Sequence, residues 1–186
     1  MSRLLVNADD FGLHPDINRG ILQCVAAGVV DSVSCVMNGG AAAEVAQPEW
    51  RVAGIALGVH LTLTGEPWLT DGRHIAGWHA LLGRLARGGP AFLRRVRAEW
   101  ESQLAAFLGH GLTPAHLDSH QHVHLLPGLW PLCLELQAAY RIPRVRLPLA
   151  PELRLARRTP ASLLLQALAR RRRREPREAG LIFDGF

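Results

Sequence analysis

Two adjacent carboxylates, Asp9 and Asp10, follow a mainly apolar run (LLVNA, residues 4–8) and stand just before Gly12. Like charges this close repel each other, and burial at a strand end adds a desolvation cost. Folded chains rarely bear such a cost unless a cation or a reaction compensates for it. The structural alternative is a turn around Gly12 or an Asp N-cap.

His60 and a histidine-rich tract at residues 116–124 (HLDSHQHVH) are the other side chains suited to such chemistry. In extended structure His120, His122 and His124 would share one face of a strand. Neutral imidazole is the commonest metal ligand in proteins. A lone histidine at the His60 position would more often be a core residue, and the tract could lie on the surface.

Two histidines and one carboxylate form a familiar facial ligand set that leaves positions open for water and substrate. A metal bound there lowers the pKa of water and polarises a carbonyl group. A second, free carboxylate could take the proton of that water. The residue types together predict a metal-dependent hydrolase of an amide or an ester.

The segments that must position these side chains alternate between strand and helix patterns. Hydrophobic periodicity predicts strands at residues 3–7, 32–37, 55–61, 116–118 and 145–147, and helices at residues 16–27, 40–47, 90–108, 128–140 and 162–174. This alternation is typical of an α/β protein with a mainly parallel sheet. Functional groups in such folds gather at the carboxyl ends of strands, where the acids, His60 and the tract are expected to meet.

Length and charge set further limits. The 186 residues fit one domain, residues 1–186. No apolar run approaches the about 20 residues of a membrane span and no signal-peptide layout begins the chain, so a cytoplasmic location is expected. Nine arginines and two glutamates at residues 154–178 give a local charge of +7, which exceeds the net charge of +5 for the whole chain.

The arginine run at residues 170–174 could bind nucleic acid or another acidic surface. No aromatic residue alternates with these arginines to stack on bases, which weakens the nucleic-acid interpretation. We favour a solvated, Arg-rich helical segment within residues 154–178.

The motifs at residues 6–12 (VNADDFG), 58–64 (GVHLTLT) and 116–124 (HLDSHQHVH) together resemble those of the YdjC-like carbohydrate deacetylases. This family includes chitooligosaccharide deacetylases and deacetylases associated with hopanoid biosynthesis. The order and separation of the motifs fit, as does the strand at residues 145–148 (VRLP). The resemblance covers nearly the whole chain.

The resemblance implies a distorted (β/α) barrel related to the polysaccharide deacetylases and a reaction that removes acetyl groups from N-acetylated sugars. It places the metal ligands at Asp10, His60 and His120 and the catalytic base at Asp9. One divalent ion, magnesium or zinc, is implied, and the two imidazoles favour zinc or another transition metal.

Six further residues are weaker candidates for contact with the sugar or for orienting the ligands. Asp118, for example, could hold a ligand histidine in place. Trp68 follows His60 in a loop and could stack on a sugar ring. The six are Asn7, Asn38, Asp118, His122, His124 and Trp68.

The family is usually longer and carries a further His-Pro motif whose histidine is thought to be the general acid, whereas no histidine follows Arg146 here. The resemblance therefore implies a shortened member with an incomplete barrel, whose open edge a second copy could cover. Loss of a general acid typically costs about 10²–10⁴ in rate. A catalytically impaired metal- or sugar-binding module and an adaptor acting through residues 157–177 thus remain as alternatives to the deacetylase.

Overall fold

The computed structural model describes residues 5–48, 54–148, 160–174 and 180–183. Six strands form one sheet in which every neighbouring pair is parallel and the strand order follows the chain. The strands are β1 (Asn7–Phe11), β2 (Ser32–Cys35), β3 (Ala56–Leu61), β4 (Leu117–Ser119), β5 (Arg144–Leu147) and β6 (Gly180–Phe183). The predicted α/β class with parallel strands is confirmed.

The described ranges contain four α-helices between these strands. They are α1 (Pro15–Ala26), α2 (Trp78–Gly109), α3 (Leu129–Ala139) and α4 (Pro160–Arg173), and two 3₁₀ segments span Ala42–Ala46 and His120–Leu125. No helix in the described ranges is both long and apolar enough to cross a bilayer. One cluster of buried hydrophobic side chains includes residues from β1 to β5 and from all four α-helices.

Helix α2 is longer than the predicted helix at residues 90–108 because a second helical segment precedes it. Gly89 has a non-helical backbone (φ 50°, ψ −151°), and Pro90 follows it. Proline has no N–H for the preceding turn, so the two segments join at a kink. The predicted stripe is buried, and it consists of Phe92, Val96, Trp100, Leu104 and Phe107.

The Arg-rich segment is only partly described, since residues 154–159 and 175–178 lie outside the described ranges. Within α4, Arg170, Arg171 and Arg173 are exposed. Arg172 instead lies over the Trp130 ring, with its guanidinium carbon 5.8 Å from the ring centroid. One arginine of the run therefore helps to pack α4 against α3.

The sheet is strongly curved. Four strand spacings separate β1 from β5, which is about 19 Å in a flat sheet. Yet Arg146 on β5 donates a hydrogen bond of 2.5 Å to Asp9 on β1. The strands therefore curl like part of a barrel wall, although no pairing in the described residues joins β6 to β1. The curvature brings the carboxyl ends of β1, β3, β4 and β5 around one site.

Candidate active site

The paired carboxylates lie inside β1 rather than after a strand at residues 3–7. The pairing of β1 with β2 shifts register between Ala8 and Phe11, which is the mark of a bulge. Asp10 has φ 68°, a left-handed conformation that is uncommon outside glycine. Bulges re-aim side chains next to active sites. This one explains how two successive acids can serve the same site.

Gly12 closes the turn that follows the two acids. It has φ +99°, and a Cβ atom there would lie 2.3 Å from the carbonyl oxygen of Val36. Asn18 of α1 accepts a 2.7 Å hydrogen bond from the Gly12 N–H through its buried side-chain oxygen. Val36, directly after β2, and Asn18 of α1 therefore hold the turn that follows the bulge.

Asp10, His60 and His120 come together at the rim of the sheet. Asp10 Oδ1 lies 2.9 Å from His120 Nδ1 and 3.4 Å from His60 Nε2. One donor atom from each of the three residues lies within 4.8 Å of the others. His60 is 3% exposed, whereas His120 and Asp10 are 24% and 33% exposed. The cluster is thus closed on the His60 side and open on the other.

Asp118 fixes the orientation of His60. Both side chains are buried, and His60 Nδ1 lies 2.7 Å from Asp118 Oδ1. A carboxylate paired with an arginine only accepts hydrogen bonds, so Nδ1 carries the donated proton. The other ring nitrogen, Nε2, then faces Asp10 and the open side.

The charges around His60 favour a bound cation. Burial by itself would lower the pKa of His60, but the negative charge of Asp118 and the hydrogen bonds to Asp10 and Asp118 outweigh it and raise the pKa to about 10. Hydrogen bonds from His120 and His60 hold the pKa of Asp10 well below its ordinary value. A divalent cation fits this set of one carboxylate and two imidazoles, and it would displace the proton on binding.

Asp9 lies beside this cluster and is held by two donors. Asn7 donates a 2.7 Å hydrogen bond and Arg146 a 2.5 Å hydrogen bond to Asp9 Oδ1. Arg146 also donates to Asp118 Oδ2 at 2.9 Å. The Asp9 side chain remains 34% exposed, so a carboxylate oxygen can reach a small molecule at the rim.

The histidine tract is not extended, so the predicted shared face of His120, His122 and His124 is wrong. Strand β4 ends at Ser119, and Gln121 and His122 both have left-handed backbones (φ 55° and 54°). The turn directs His120 to Asp10. His124 instead points into the protein, where its Nε2 lies 3.0 Å from the carbonyl oxygen of Arg146.

His122 lies between His120, which faces Asp10 at the rim, and His124, which points into the protein. Burial, followed by the positive charge of Arg146, lowers the pKa of His122 to about 4. Its Nδ1 is buried, with no hydrogen-bond partner among the described residues. Its ring meets that of His124 edge to face, with centroids 6.5 Å apart. His122 is therefore a neutral imidazole next to the site.

Trp68 does not offer a ring face to a sugar, contrary to the prediction. It is 2% exposed, and its indole N–H donates a 3.1 Å hydrogen bond to the carbonyl oxygen of Leu63. The loop turns inward because Glu99 on α2 accepts hydrogen bonds from the backbone N–H groups of Leu69 and Thr70. Trp68 thereby packs against Phe92 as part of the core.

The two asparagines proposed to face a sugar both make internal hydrogen bonds. Asn38 accepts from the Thr62 hydroxyl at 2.6 Å and donates to the carbonyl oxygen of Pro67 at 3.0 Å. It connects the end of β2 to the loop after β3. Asn7 donates to Asp9 and to Ser34, so its side chain supports an acid of the cluster.

Three residues of the site were missed by the sequence reasoning. They are Ser34, His116 and Arg146, and all three are buried. Ser34 and Arg146 donate hydrogen bonds to Asp118, and His116 is hydrogen-bonded to Ser34. Arg146 had a signal, since a single charge inside the apolar strand VRL requires a buried partner. A serine within an apolar strand carries no comparable signal.

A parallel, curved sheet with a His–Asp cluster at the carboxyl ends of its strands defines an α/β protein with a candidate metal site. The chain belongs to the YdjC-like protein family, whose sequence profile matches residues 3–184. The family resemblance found from the three motifs is thereby confirmed.

Several curated relatives resemble the chain closely. It is 35% identical to a chitooligosaccharide deacetylase of Serratia marcescens, with 86% of this chain and 65% of the relative covered. It is 36% identical to a carbohydrate deacetylase of Geobacillus stearothermophilus (75% and 57% covered) and 39% identical to a human carbohydrate deacetylase (79% and 49% covered). The chain thus spans about half to two thirds of the length of these relatives.

A solved structure shares the fold. It is a crystal structure from Enterococcus faecalis V583, described as a candidate cellobiose-phosphate cleavage protein. The TM-score is 0.64, with 24% sequence identity, and the match covers 97% of this chain and 79% of that one. At this identity the likeness supports the fold alone.

Proposed function

We propose that this protein is a metal-dependent carbohydrate deacetylase that hydrolyses the acetamido group of N-acetylated sugars. The observation that carries the proposal is the convergence of Asp10, His60 and His120, with Asp9 beside them. Relatives named as carbohydrate and chitooligosaccharide deacetylases support the reaction class. Two imidazoles among three ligands favour zinc or another transition metal over magnesium.

In this proposal Asp10, His60 and His120 hold the cation. Asp118 keeps the Nδ1 proton of His60 in place, so that Nε2 is free to bind. A divalent cation bound there would lower the pKa of water and polarise the amide carbonyl. Asp9 accepts the proton of the attacking water, and Arg146 and Asn7 hold its carboxylate at the rim. The water oxygen adds to the carbonyl carbon, the C–N bond to the sugar breaks, and the proton taken by Asp9 passes to the leaving nitrogen, which gives acetate and the free amino sugar.

Metal binding and acetate release test the proposal together. We expect the full chain to bind Zn²⁺ in calorimetric titration and to release acetate from N-acetylglucosamine oligomers. The His60→Ala, His120→Ala double variant should lose both properties, because two of three ligands are gone. His79→Ala, an exposed histidine at the start of α2, is the matched control and should retain both. Undiminished zinc binding and turnover in the double variant would contradict the proposal.

A metal- and sugar-binding module without turnover is the second candidate. Its support is the state of three imidazoles that lie next to the ligand set. Burial lowers the pKa values of His116, His122 and His124, so these side chains are neutral and give no proton to a leaving amine. Zinc binding and sugar binding with no acetate release would favour this candidate, whereas multiple turnovers would exclude it.

A further inference from the structure

The hydroxyl group of Ser34 lies at the centre of a buried polar network below the candidate metal site. Ser34 is on β2 and is fully buried. Its Oγ lies 2.9 Å from each of three groups, namely Asn7 Nδ2, His116 Nε2 and Asp118 Oδ2. Three strands and the segment before β4 therefore meet at one oxygen atom.

The hydrogen-bonding capacity of Ser34 is completely used. A serine hydroxyl has one donor hydrogen and two acceptor lone pairs. Asp118 accepts from Arg146 and His60 and is a carboxylate, so the single hydroxyl hydrogen must go to it. The lone pairs remain for the Asn7 amide and for His116, whose Nε2 must therefore carry a proton. No other side chain of this size offers the same combination.

The two ends of the network are groups of the candidate active site. Asn7 donates to Asp9 at 2.7 Å through the same amide nitrogen that meets Ser34. Asp118 uses its other oxygen, Oδ1, to hold His60 Nδ1 at 2.7 Å. Arg146 closes the ring from Asp118 Oδ2 back to Asp9 Oδ1. A displacement at Ser34 would reach both Asp9 and His60.

We propose that Ser34 is a positioning residue, whose hydroxyl sets the placement of Asp118 and Asn7 and, through them, of His60 and Asp9. This inference rests on the proposed function of the site. Removing the hydroxyl leaves the amide of Asn7 and the Nε2–H of His116 without their acceptor and removes a donor from Asp118. Asp118 is the direct partner of a ligand histidine, and disturbing such a partner typically costs about 10–100-fold in metal affinity or activity.

Ser32 is a matched control for the loss of a buried serine. It lies two residues earlier on β2, so its side chain points to the same face of the sheet. It is 1% exposed, and its hydroxyl donates to the carbonyl oxygen of Ala56 at 3.1 Å. This hydrogen bond goes to a backbone group and does not involve the polar network around Ser34. If both buried serines only stabilise the fold, substitutions at Ser32 and Ser34 should have the same effects on zinc affinity and activity.

The experiment compares Ser34→Ala and Ser34→Cys with Ser32→Ala and Ser32→Cys in the full chain. The cysteine variants fill the space of the lost hydroxyl and supply a weak donor and acceptor, so they remain informative if an alanine variant does not fold. Zn²⁺ affinity is measured by calorimetry, and kcat and KM are measured by acetate release. We expect the Ser34 variants to bind zinc about 10–100-fold more weakly. Their kcat should fall, while their KM should not rise. The Ser32 variants should match the wild type.

A spectroscopic measurement on the metal-free protein separates this inference from the proposed function. The resonance of the His60 Nδ1 proton reports its hydrogen bond to Asp118, and it should move in the Ser34 variants and not in the Ser32 variants. An unmoved resonance together with unchanged zinc affinity in the Ser34 variants would overturn the inference. Equal losses at Ser32 and Ser34 would also overturn it. A wild type without turnover would count against the deacetylase alone, since the resonance still decides the role of Ser34.

Discussion

His60 presents one ring nitrogen to Asp118 and the other to Asp10, so the position of its proton decides what the site can bind. The Nδ1 proton is fixed by the 2.7 Å contact with Asp118 Oδ1. Burial opposes the ionisation of Asp118, yet the charge and hydrogen bond of His60, with further charge from Arg146, hold the pKa of Asp118 well below its ordinary value. The carboxylate therefore increases the basicity of the nitrogen that faces the open side.

Asp118→Asn should weaken zinc binding by about 10–100-fold, because the amide keeps the shape but removes the charge behind His60. Calorimetric titration of the full chain measures the effect. Asp71→Asn is the control, since Asp71 lies on a loop and forms ion pairs with Arg73 and Arg95. Zinc affinity equal to that of the wild type in Asp118→Asn would show that His60 needs no charged partner.

Arg146 is a second residue whose importance depends on its burial. It is 5% exposed and forms ion pairs with Asp9 and Asp118. Removing one partner from a buried ion pair typically costs about 3–5 kcal/mol, because the remaining charge is uncompensated. A bound divalent cation next to the same carboxylates should recover part of that cost.

Arg146→Met is therefore expected to lower the free energy of unfolding by about 3–5 kcal/mol without metal and by less in saturating Zn²⁺. Urea unfolding with and without the ion measures both values. Arg97→Met is the control, because Arg97 pairs with Glu101 and Glu135 at partly exposed positions, where such pairs are worth about 0–1 kcal/mol. If Arg146→Met lowers the free energy of unfolding equally with and without zinc, the ion does not compensate the charges of Asp9 and Asp118.

At the scale of elements, the sequence predicted the strands and helices that depend on hydrophobic periodicity. The buried stripe of α2 was predicted because its five members recur at helical spacing. The placement of His60 at the end of β3 followed from the apolar strand before it. Strand β6 was not predicted, because a short continuous apolar run such as LIF cannot be assigned to a strand or a helix from periodicity alone.

The missed features of the site depend on contacts between residues far apart in the sequence. Arg146 and Asp9 are separated by 137 positions, so neither segment reveals its partner. The tract after β4 was predicted to be extended because its histidines alternate. It instead turns through Gln121 and His122 in left-handed conformations, which are uncommon outside glycine. Tertiary contacts decide both outcomes.

Gly58 on β3 shows how closely two elements approach at the site. A Cβ atom on Gly58 would lie 2.3 Å from Cε1 and Nε2 of the His116 ring. His116 is itself 1% exposed and bonded to Ser34, so the ring has little room to move. Only glycine allows β3 and the segment before β4 to pack at this distance.

Gly58→Ala should lower the free energy of unfolding by about 1–3 kcal/mol, because the added methyl group displaces the His116 ring. Urea unfolding measures the change. Gly20→Ala is the matched control in the middle of α1, where a Cβ atom meets nothing within 4 Å. That substitution should stabilise the protein by about 0.5–1 kcal/mol. Equal effects of the two substitutions would contradict the close packing of Gly58 on His116.

At the scale of the whole molecule, the curved sheet gathers charges that folding must bury together. Asp118 is fully buried, Arg146 is nearly so, and Asp9 and Asp10 are partly buried on the same rim. Neutral histidines occupy the space next to these charges. Because a neutral histidine becomes charged when protonated, the stability of the molecule depends on pH through these buried rings.

His124 shows the cause of this dependence most clearly. Burial, followed by the repulsion that a protonated His122 would exert, lowers its pKa to about 3. Nε2 donates to the carbonyl oxygen of Arg146, so Nδ1 of the neutral ring carries no hydrogen. Ser119 Oγ accepts from the His124 backbone N–H at 3.0 Å and donates its hydroxyl hydrogen to Nδ1 at 2.6 Å. A second ring proton on Nδ1 would require this hydroxyl to rotate and to give up the hydrogen bond that it donates.

The free energy of unfolding should therefore fall as pH is lowered below about 6.5, the ordinary pKa of histidine. Above that pH neither state of His124 binds the proton, and the full stability is present. Between about 6.5 and 3 only the unfolded chain binds it, so His124 alone contributes a loss of about 1.4 kcal/mol per pH unit. His60 does not oppose this loss at pH 5–6, because a raised pKa leaves it largely protonated in both states.

His124→Gln isolates this contribution, since glutamine can donate and accept hydrogen bonds but does not titrate. Urea unfolding of the metal-free protein at pH 7.5, 6.0, 5.5 and 5.0 gives the slope for the variant and for the wild type. The variant should be less stable at pH 7.5, while its slope between pH 6.0 and 5.0 should be smaller by about 1.4 kcal/mol per pH unit. His116 and His122, whose pKa values burial also lowers, should keep the remaining slope positive. Parallel slopes for the two proteins would mean that His124 takes up its proton in the folded state, in conflict with the hydrogen bonds that hold it neutral.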